Sequence, residues 1–228
     1  MIIGFDADDT LWHNEDGFQA SHRAFEELLA EWGDPEAIHE QLFATETRNL
    51  PRYGYGVKAY TLSMIETAIA VTAGRVDAER ISAILDLGHA LLDRPVELID
   101  GVTDVLDELG HLRLMIITKG DLYHQLARID ASGLRDRFWQ TEVVAHKDPA
   151  TYERVLGIHG VDPERFVMVG NSLPSDVLPV IEIGGRGVHI PYHVTWTHEH
   201  HDGDHDAPRL DHLRDLPALL DEWGIAGR

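Results

Sequence analysis

The 228-residue chain contains no cysteine. That excludes a disulfide framework and any thiolate metal site. Lysine is nearly as scarce, at Lys58, Lys119 and Lys147 against sixteen arginines. The formal net charge of -21 excludes a nucleic-acid backbone as partner, because binding phosphates in number needs clustered Lys and Arg. An acidic surface favours solubility, but it repels an anionic substrate, which must then find a local positive pocket. A bound divalent cation helps to supply one. Long hydrophobic runs are also missing, so no segment has the length of a membrane span. The first strand starts at Met1 and leaves no room for a signal peptide, which points to a cytoplasmic protein. A hydrophobic content of 43% still allows a sizeable core, and the length suits one large domain or a domain with an inserted module.

What is present is concentrated in the first twelve residues, MIIGFDADDTLW. The apolar run Met1 to Phe5 reads as a buried strand, since strands covered on both faces show no alternation. It breaks into Asp6-Ala7-Asp8-Asp9-Thr10. Carboxylates are rarely buried unless paired or bound to metal, and ligands of open α/β sheets sit at the carboxyl ends of strands. Asp6 and Asp8, two apart, are placed to aim a nucleophile and a proton donor at one site with a cation between them. Taken alone, the same pattern also describes a solvated turn after an edge strand.

From Trp12 to about residue 93 the pattern is helical. Phe18, Phe25, Leu28, Leu29 and Trp32 recur at helix spacing up to Gly33-Asp34-Pro35. A shorter helix follows over 35–48, broken at Asn49-Leu50-Pro51. Residues 58–73 are apolar nearly all round and predict a central helix, and Asp77 predicts the N-cap of the next one. From Asp100 helix and strand alternate. Asp100, Asp121 and Asp148 are placed as helix caps. Strands are predicted over 112–117, 142–144, 166–169 and 187–190, with a closing helix over 216–223. This rhythm implies right-handed βαβ units and a parallel sheet covered on both faces. The predicted architecture is a doubly wound, Rossmann-like α/β core, residues 1–11 plus 100–228, with an all-helical cap, residues 12–99, inserted after the first strand. Such an insertion suits a lid.

Three later strands also end in groups with chemical capacity. Thr118 leads into a glycine turn before a helix, where free N–H groups can hold an anion. Lys147 precedes a capped helix. Asn171, Ser172 and Asp176 follow the fourth strand. Each has an ordinary structural explanation, but four complementary groups at four strand ends argue for a site. In this order DADDT, Thr118, Lys147 and GNSLPSD resemble the haloacid-dehalogenase-like superfamily of phosphotransferases and phosphohydrolases. The resemblance spans the whole chain, and the helical insertion is similar to that superfamily's first type of cap.

The resemblance implies a Mg²⁺-dependent phosphatase acting on a small phosphorylated metabolite. Asp6 matches the nucleophile that becomes an aspartyl-phosphate. Asp8 matches the general acid and then base, and its main-chain carbonyl would bind Mg²⁺ together with the Asp6 carboxylate. Thr118 and the N–H of Lys119 match the phosphoryl clamp, and Lys147 the cation beside the nucleophile. These are types the chemistry itself demands: a carboxylate nucleophile, positioning and charge neutralisation. One departure stands out. The fourth motif usually begins Gly-Asp, and here it is Gly170-Asn171. Asn171 offers the metal a neutral oxygen, one negative charge is missing, and Asp176 is the candidate to compensate. An acid at Asp8 also differs from the dehalogenases of the superfamily, which release no alkoxide.

Lys58, the only lysine of the helical insertion, is a candidate for a second anionic group on the substrate. A phosphonate hydrolase with a cap lysine, a phosphomutase, or a catalytically silent binding member are the rival expectations. The histidine-rich stretch 198–205 reads as a solvated loop, with Zn²⁺ or Ni²⁺ binding as the alternative. His189 reads as a packed core histidine.

Overall fold

The computed structural model describes residues 1–194, 196 and 206–225. The histidine-rich stretch 198–205 lies outside the described residues. Strand β1 (Ile2–Phe5) is followed by helices α1 (Glu15–Leu28), α2 (Pro35–Tyr53), α3 (Val57–Val71), α4 (Ala78–Leu92) and α5 (Val102–Glu108). Then come β2 (Arg113–Lys119), α6 (Leu122–Ala131), β3 (Gln140–Val144), α7 (Pro149–Ile158), β4 (Phe166–Gly170), α8 (Leu178–Glu182), β5 (Arg186–His189) and α9 (Leu216–Glu222). Among the described residues these strands form one sheet in the order β3-β2-β1-β4-β5, with every pair parallel. The first strand of the sequence is thus the central one, as a doubly wound Rossmann-like sheet requires.

The side-chain period of two sorts the sheet residues onto opposite faces. Ile3, Phe5, Leu114, Ile116, Val167 and Val169 pack with α5 and α9. Ile2, Met115, Ile117, Phe166 and Met168 pack with Tyr152, Val155 and Leu156 of α7 and with Val180 of α8. Gly4 fills a tight place in the sheet. A Cβ there would lie 2.5 Å from the Phe166 ring and 3.0 Å from the Met168 sulfur. With both faces covered, the polar residues of the strands have only the ends in which to collect.

The chain divides into two compact units. One comprises Met1–Glu15, Val96–Lys119 and Gln125–Arg228; the other comprises Asp16–Pro95 and Gly120–His124. The helical unit has its own core of Phe25, Leu29, Ile38, Leu42, Tyr60, Met64 and Ile84. The division falls later than residue 11 and earlier than residue 100, because the two crossings pair with each other. Ile99 N–H donates to Leu11 O at 3.0 Å and His13 N–H to Glu97 O at 3.0 Å, with the Trp12 side chain fully buried.

Two local expectations are corrected. Helix α2 runs through Pro51 to Tyr53 instead of stopping at Asn49. A proline in the last turn gives up one main-chain hydrogen bond, and the helix ends where Gly54, at φ 71°, returns its N–H to Leu50 O. Asp100 does not cap α5: Gly101 holds that place, and the Asp100 carboxylate accepts from Arg214 Nη2 at 2.8 Å. The caps by Asp77, Asp121 and Asp148 are present, receiving the N–H groups of Arg80, His124 and Thr151 at 2.8, 3.0 and 2.8 Å.

Candidate active site

Four strand ends of the sheet unit bring their polar residues together. Asp6 directly follows β1 and gives its N–H to Val169 O of β4 at 2.9 Å, which continues the ladder one residue past the strand. The loop then folds back on itself, Leu11 N–H donating to Ala7 O at 2.8 Å, and this keeps Asp8 and Thr10 above the sheet end. Lys147 Nζ reaches Asp6 Oδ1 in a short charge-assisted contact and donates to Asp176 Oδ1 at 2.6 Å. Ser172 N–H donates to the other Asp176 oxygen at 3.0 Å. Asp176 follows Ser172 in a wide helical turn over Leu173–Val177 closed by the bond from Leu178 N–H to Leu173 O, five residues back. Turns of this π type are frequent at functional sites.

All three charged groups of this line are buried. The Asp6 carboxyl is raised to about 7: burial and Asp176 push it up, and Lys147 pulls against them. For Lys147, burial disfavours the ammonium, but Asp176 and Asp6 outweigh it and raise its pKa, so the lysine is held charged. Two carboxylates around one ammonium leave a buried negative charge uncompensated, a costly state unless a further cation shares the site.

Oxygen donors of the kind a divalent cation would take lie beside this pair. The inward end of the Asn171 side chain lies 3.2 Å from Asp6 Oδ2 and 3.3 Å from the main-chain oxygen of Asp8. Both neighbours are pure acceptors. The Asn171 end is therefore an N–H group donating to both, or an oxygen sharing a cation with them. Thr10 Oγ1 sits 3.3 Å from Asp6 Oδ2 and receives the Asn171 N–H at 3.1 Å, which fixes the spacing of the two loops. Carboxylate, carbonyl and amide oxygens are the hard donors that Mg²⁺ takes. Among the described residues no group of three His, Asp or Glu side chains is placed to hold a metal. Asp176, expected to help at the metal directly or through a bound water, accepts from Lys147 Nζ and from the Ser172 N–H.

The other half of the site is built on α6. Gln125 Nε2 lies 2.9 Å from Asp8 Oδ2, from Thr118 Oγ1 and from Lys119 O, so one amide ties the acid/base candidate to the phosphoryl-clamp candidate. The opposite oxygen of Asp8 accepts from Trp12 Nε1 at 2.7 Å and lies 3.6 Å from Arg128 Nε. Lys119 Nζ donates to Ser175 Oγ at 2.9 Å, and the ammonium lies 5.5 Å from the Trp196 ring centre. Gln125, Arg128 and Trp12 were not identified from the sequence. Their signal was available: Gln125 and Arg128 stand three apart on α6 beside Ile129, polar residues on the buried face of an amphipathic helix.

Asp9, third in the acidic run, is structural. Its carboxylate accepts the N–H groups of Asn14 and Glu15 at 2.8 and 3.0 Å at the start of α1, and burial pushes it up to about 8 against those bonds. His189 is buried as expected, and its Nε2 is 3.0 Å from Asn171 O, bracing the loop that carries the metal-ligand candidate. Lys58 belongs to α3. Within the helical unit it pairs with Asp121 Oδ1 and Oδ2 at 3.0 and 3.1 Å.

A parallel sheet with carboxylates and a lysine converging at its carboxyl end places the chain among Rossmann-like α/β hydrolases. More narrowly, the chain belongs to the haloacid dehalogenase-like hydrolases, whose family model matches residues 1–184. It is similar to a haloacid dehalogenase-like family hydrolase from Xanthomonas campestris, at 42% identity over 100% of this chain and 94% of that one, with a TM-score of 0.89. It shares the fold of a 2-haloacid dehalogenase from Pseudomonas syringae pv. Tomato DC3000, at 23% identity, 97% and 98% coverage and a TM-score of 0.64. It also shares the fold of YfnB from Bacillus subtilis, solved bound to magnesium, at 18% identity, 96% and 98% coverage and a TM-score of 0.66. No curated protein matches the chain.

Proposed function

We propose that this hydrolase is a Mg²⁺-dependent phosphatase that cleaves small phosphate monoesters through an aspartyl-phosphate on Asp6. The observation that carries this reading is the pair of carboxylates in distinct settings at the end of β1: Asp6 against Lys147, and Asp8 against Gln125 and Trp12. An Asp6 oxygen attacks phosphorus in line, the bond from phosphorus to the ester oxygen breaks, and Asp8 protonates the departing alkoxide. Water then attacks the acyl phosphate, Asp8 takes its proton, and the bond from phosphorus to Asp6 breaks, releasing phosphate and restoring the carboxylate. Thr118 and the Lys119 N–H hold the non-bridging oxygens, and Lys147 keeps Asp6 oriented while offsetting charge on the transferring group. Asp6, the Asp8 carbonyl and Asn171 would hold Mg²⁺, which when bound neutralises phosphoryl charge. The proton-carrying role of Asp8 favours a phosphate ester over a haloacid, whose halide leaves without a proton.

A phosphatase assay with p-nitrophenyl phosphate and MgCl₂ tests the reading. Turnover should require Mg²⁺, and Asp6→Asn should lower it at least about 10⁴-fold while the protein stays folded. Halide release from a 2-haloacid without Mg²⁺, and no phosphate release from a broad ester panel, would replace the phosphatase by a dehalogenase. A sugar phosphate whose phosphoryl group is returned to the sugar at another hydroxyl, in place of free phosphate, would make it a phosphomutase.

A further inference from the structure

Helix α6 begins just past the carboxyl end of β2 and runs back along the sheet, as a crossover helix does. Turns nearer its start therefore stand further out over the strand ends. Gln125 is buried there and donates to Asp8 Oδ2 and Thr118 Oγ1 at 2.9 Å. Residues three apart share a helix face, so Leu122 lies on the face of Gln125, one turn outward. Burial ends at that turn: Leu122 is 59% exposed and Tyr123 78%. Trp12 and Arg128 are buried against the other Asp8 oxygen, at 2.7 and 3.6 Å. A leaving group whose oxygen meets Asp8 must then extend away from those two, along the outer turn of α6.

Charge at this end of α6 is already balanced. Lys58 Nζ donates to both oxygens of Asp121, the capping residue, and lies 5.7 Å from the Tyr123 ring centre. The lysine expected to meet a second anionic group thus has a carboxylate supplied by the chain itself. An anionic leaving group would have to displace that tethered carboxylate and remain beside it. An apolar one has only to cover Leu122 and Tyr123, which gains free energy with the area removed from water.

We propose that Leu122 and Tyr123 are specificity residues that receive an uncharged, apolar leaving group, an aryl or alkyl alcohol, while Lys58 serves Asp121 and no substrate anion. This rests on the phosphatase reading for the identity of the leaving group, but it is tested by binding.

Two non-hydrolysable probes differ only at the end away from phosphorus: 2-phenylethylphosphonate and 3-phosphonopropionate. Calorimetry on the full chain in MgCl₂ should show the phenyl probe bound on the order of tenfold tighter than the carboxylate probe. The double variant Leu122→Ser/Tyr123→Ser, altered only at exposed positions, should lose that preference and keep its Tm. Asp121→Asn keeps a capping side chain and frees the Lys58 ammonium, so it should bind the carboxylate probe about threefold tighter than wild type does. Equal binding of the two probes, or tighter binding of the carboxylate probe, overturns the proposal; p-nitrophenyl phosphate turnover would then still stand. A preference untouched by the double variant, or a carboxylate affinity untouched by Asp121→Asn, overturns it as well, as does binding of neither probe. A preference that follows both variants, in a protein that releases phosphate from no ester, leaves the apolar wall standing and removes the phosphatase.

Discussion

Gln125 shows what single residues contribute to this site. Its amide has two hydrogens and three acceptors within 2.9 Å, while among the described residues its buried Oε1 has no hydrogen-bond partner. That buried oxygen costs stability, and the return is geometric: Asp8 and Thr118, from different strand ends, are held at one spacing. Gln125→Leu should therefore lower kcat on p-nitrophenyl phosphate about 100-fold, because a small misplacement of the acid/base weakens the transition state more than binding. The melting temperature should change little, since the leucine also removes the orphan oxygen. A loss confined to Tm, with kcat intact, would make Gln125 a packing residue only. At the neighbouring Asp6, burial raises the carboxyl while Lys147 lowers it.

At the scale of elements, the site depends on strand ends and helix starts being fixed to within one residue. Helix α7 begins immediately after Lys147 because Asp148 accepts the Thr151 N–H at 2.8 Å and Pro149 occupies the first helical position. That bond holds the Asp148 carboxyl below its ordinary value. A carboxyl lowered in the folded state stabilises above its unfolded pKa, and the contribution is lost as pH falls through the lowered folded value. Asp148→Ala should destabilise by about 1 kcal/mol at neutral pH. The difference from wild type should shrink in acid, below the ordinary aspartate range. Urea unfolding at pH 7 and pH 3 checks both statements, and a pH-independent difference would remove the charged cap from the explanation. Helix α2 carries the complementary lesson. Its Pro51 marks a weak point that Gly54, three residues on, turns into the actual end.

Over the whole molecule, charge is the dominant fact. A net charge of -21 surrounds a site whose proposed substrate is an anion. Screening such a field speeds the encounter of like-charged partners. Raising NaCl from about 20 to 200 mM should therefore raise kcat/KM for p-nitrophenyl phosphate at saturating Mg²⁺ about twofold or more. A fall would mean that the local potential of Lys147, Lys119 and Arg128 outweighs the global one. Among the described residues no helix is long and apolar enough to cross a membrane.

The strands and the caps at Asp77, Asp121 and Asp148 were legible because each follows from local pattern: apolar runs, capping residues and the alternation of strand and helix. The central place of β1 was decided by the fold. Asp6, Asp8, Thr118, Lys147 and Asn171 could be singled out as candidates because complementary polar residues at the ends of several buried strands suggest a shared site. The capping of α5 by Gly101 was not legible, since Asp100 is drawn to Arg214, remote in the chain. Helix α2 passes Pro51 because the proline stands in the last turn, where it costs one hydrogen bond without ending the helix. Only the tertiary structure could assign Asp176 to Lys147, tie Asp8 to Thr118 through Gln125, and set the Asn171 amide against two acceptors. Those relations join residues 6, 8, 147, 171 and 176 across the sheet, and hydrogen-bond partners at such separations follow from distance in space, which no local pattern records.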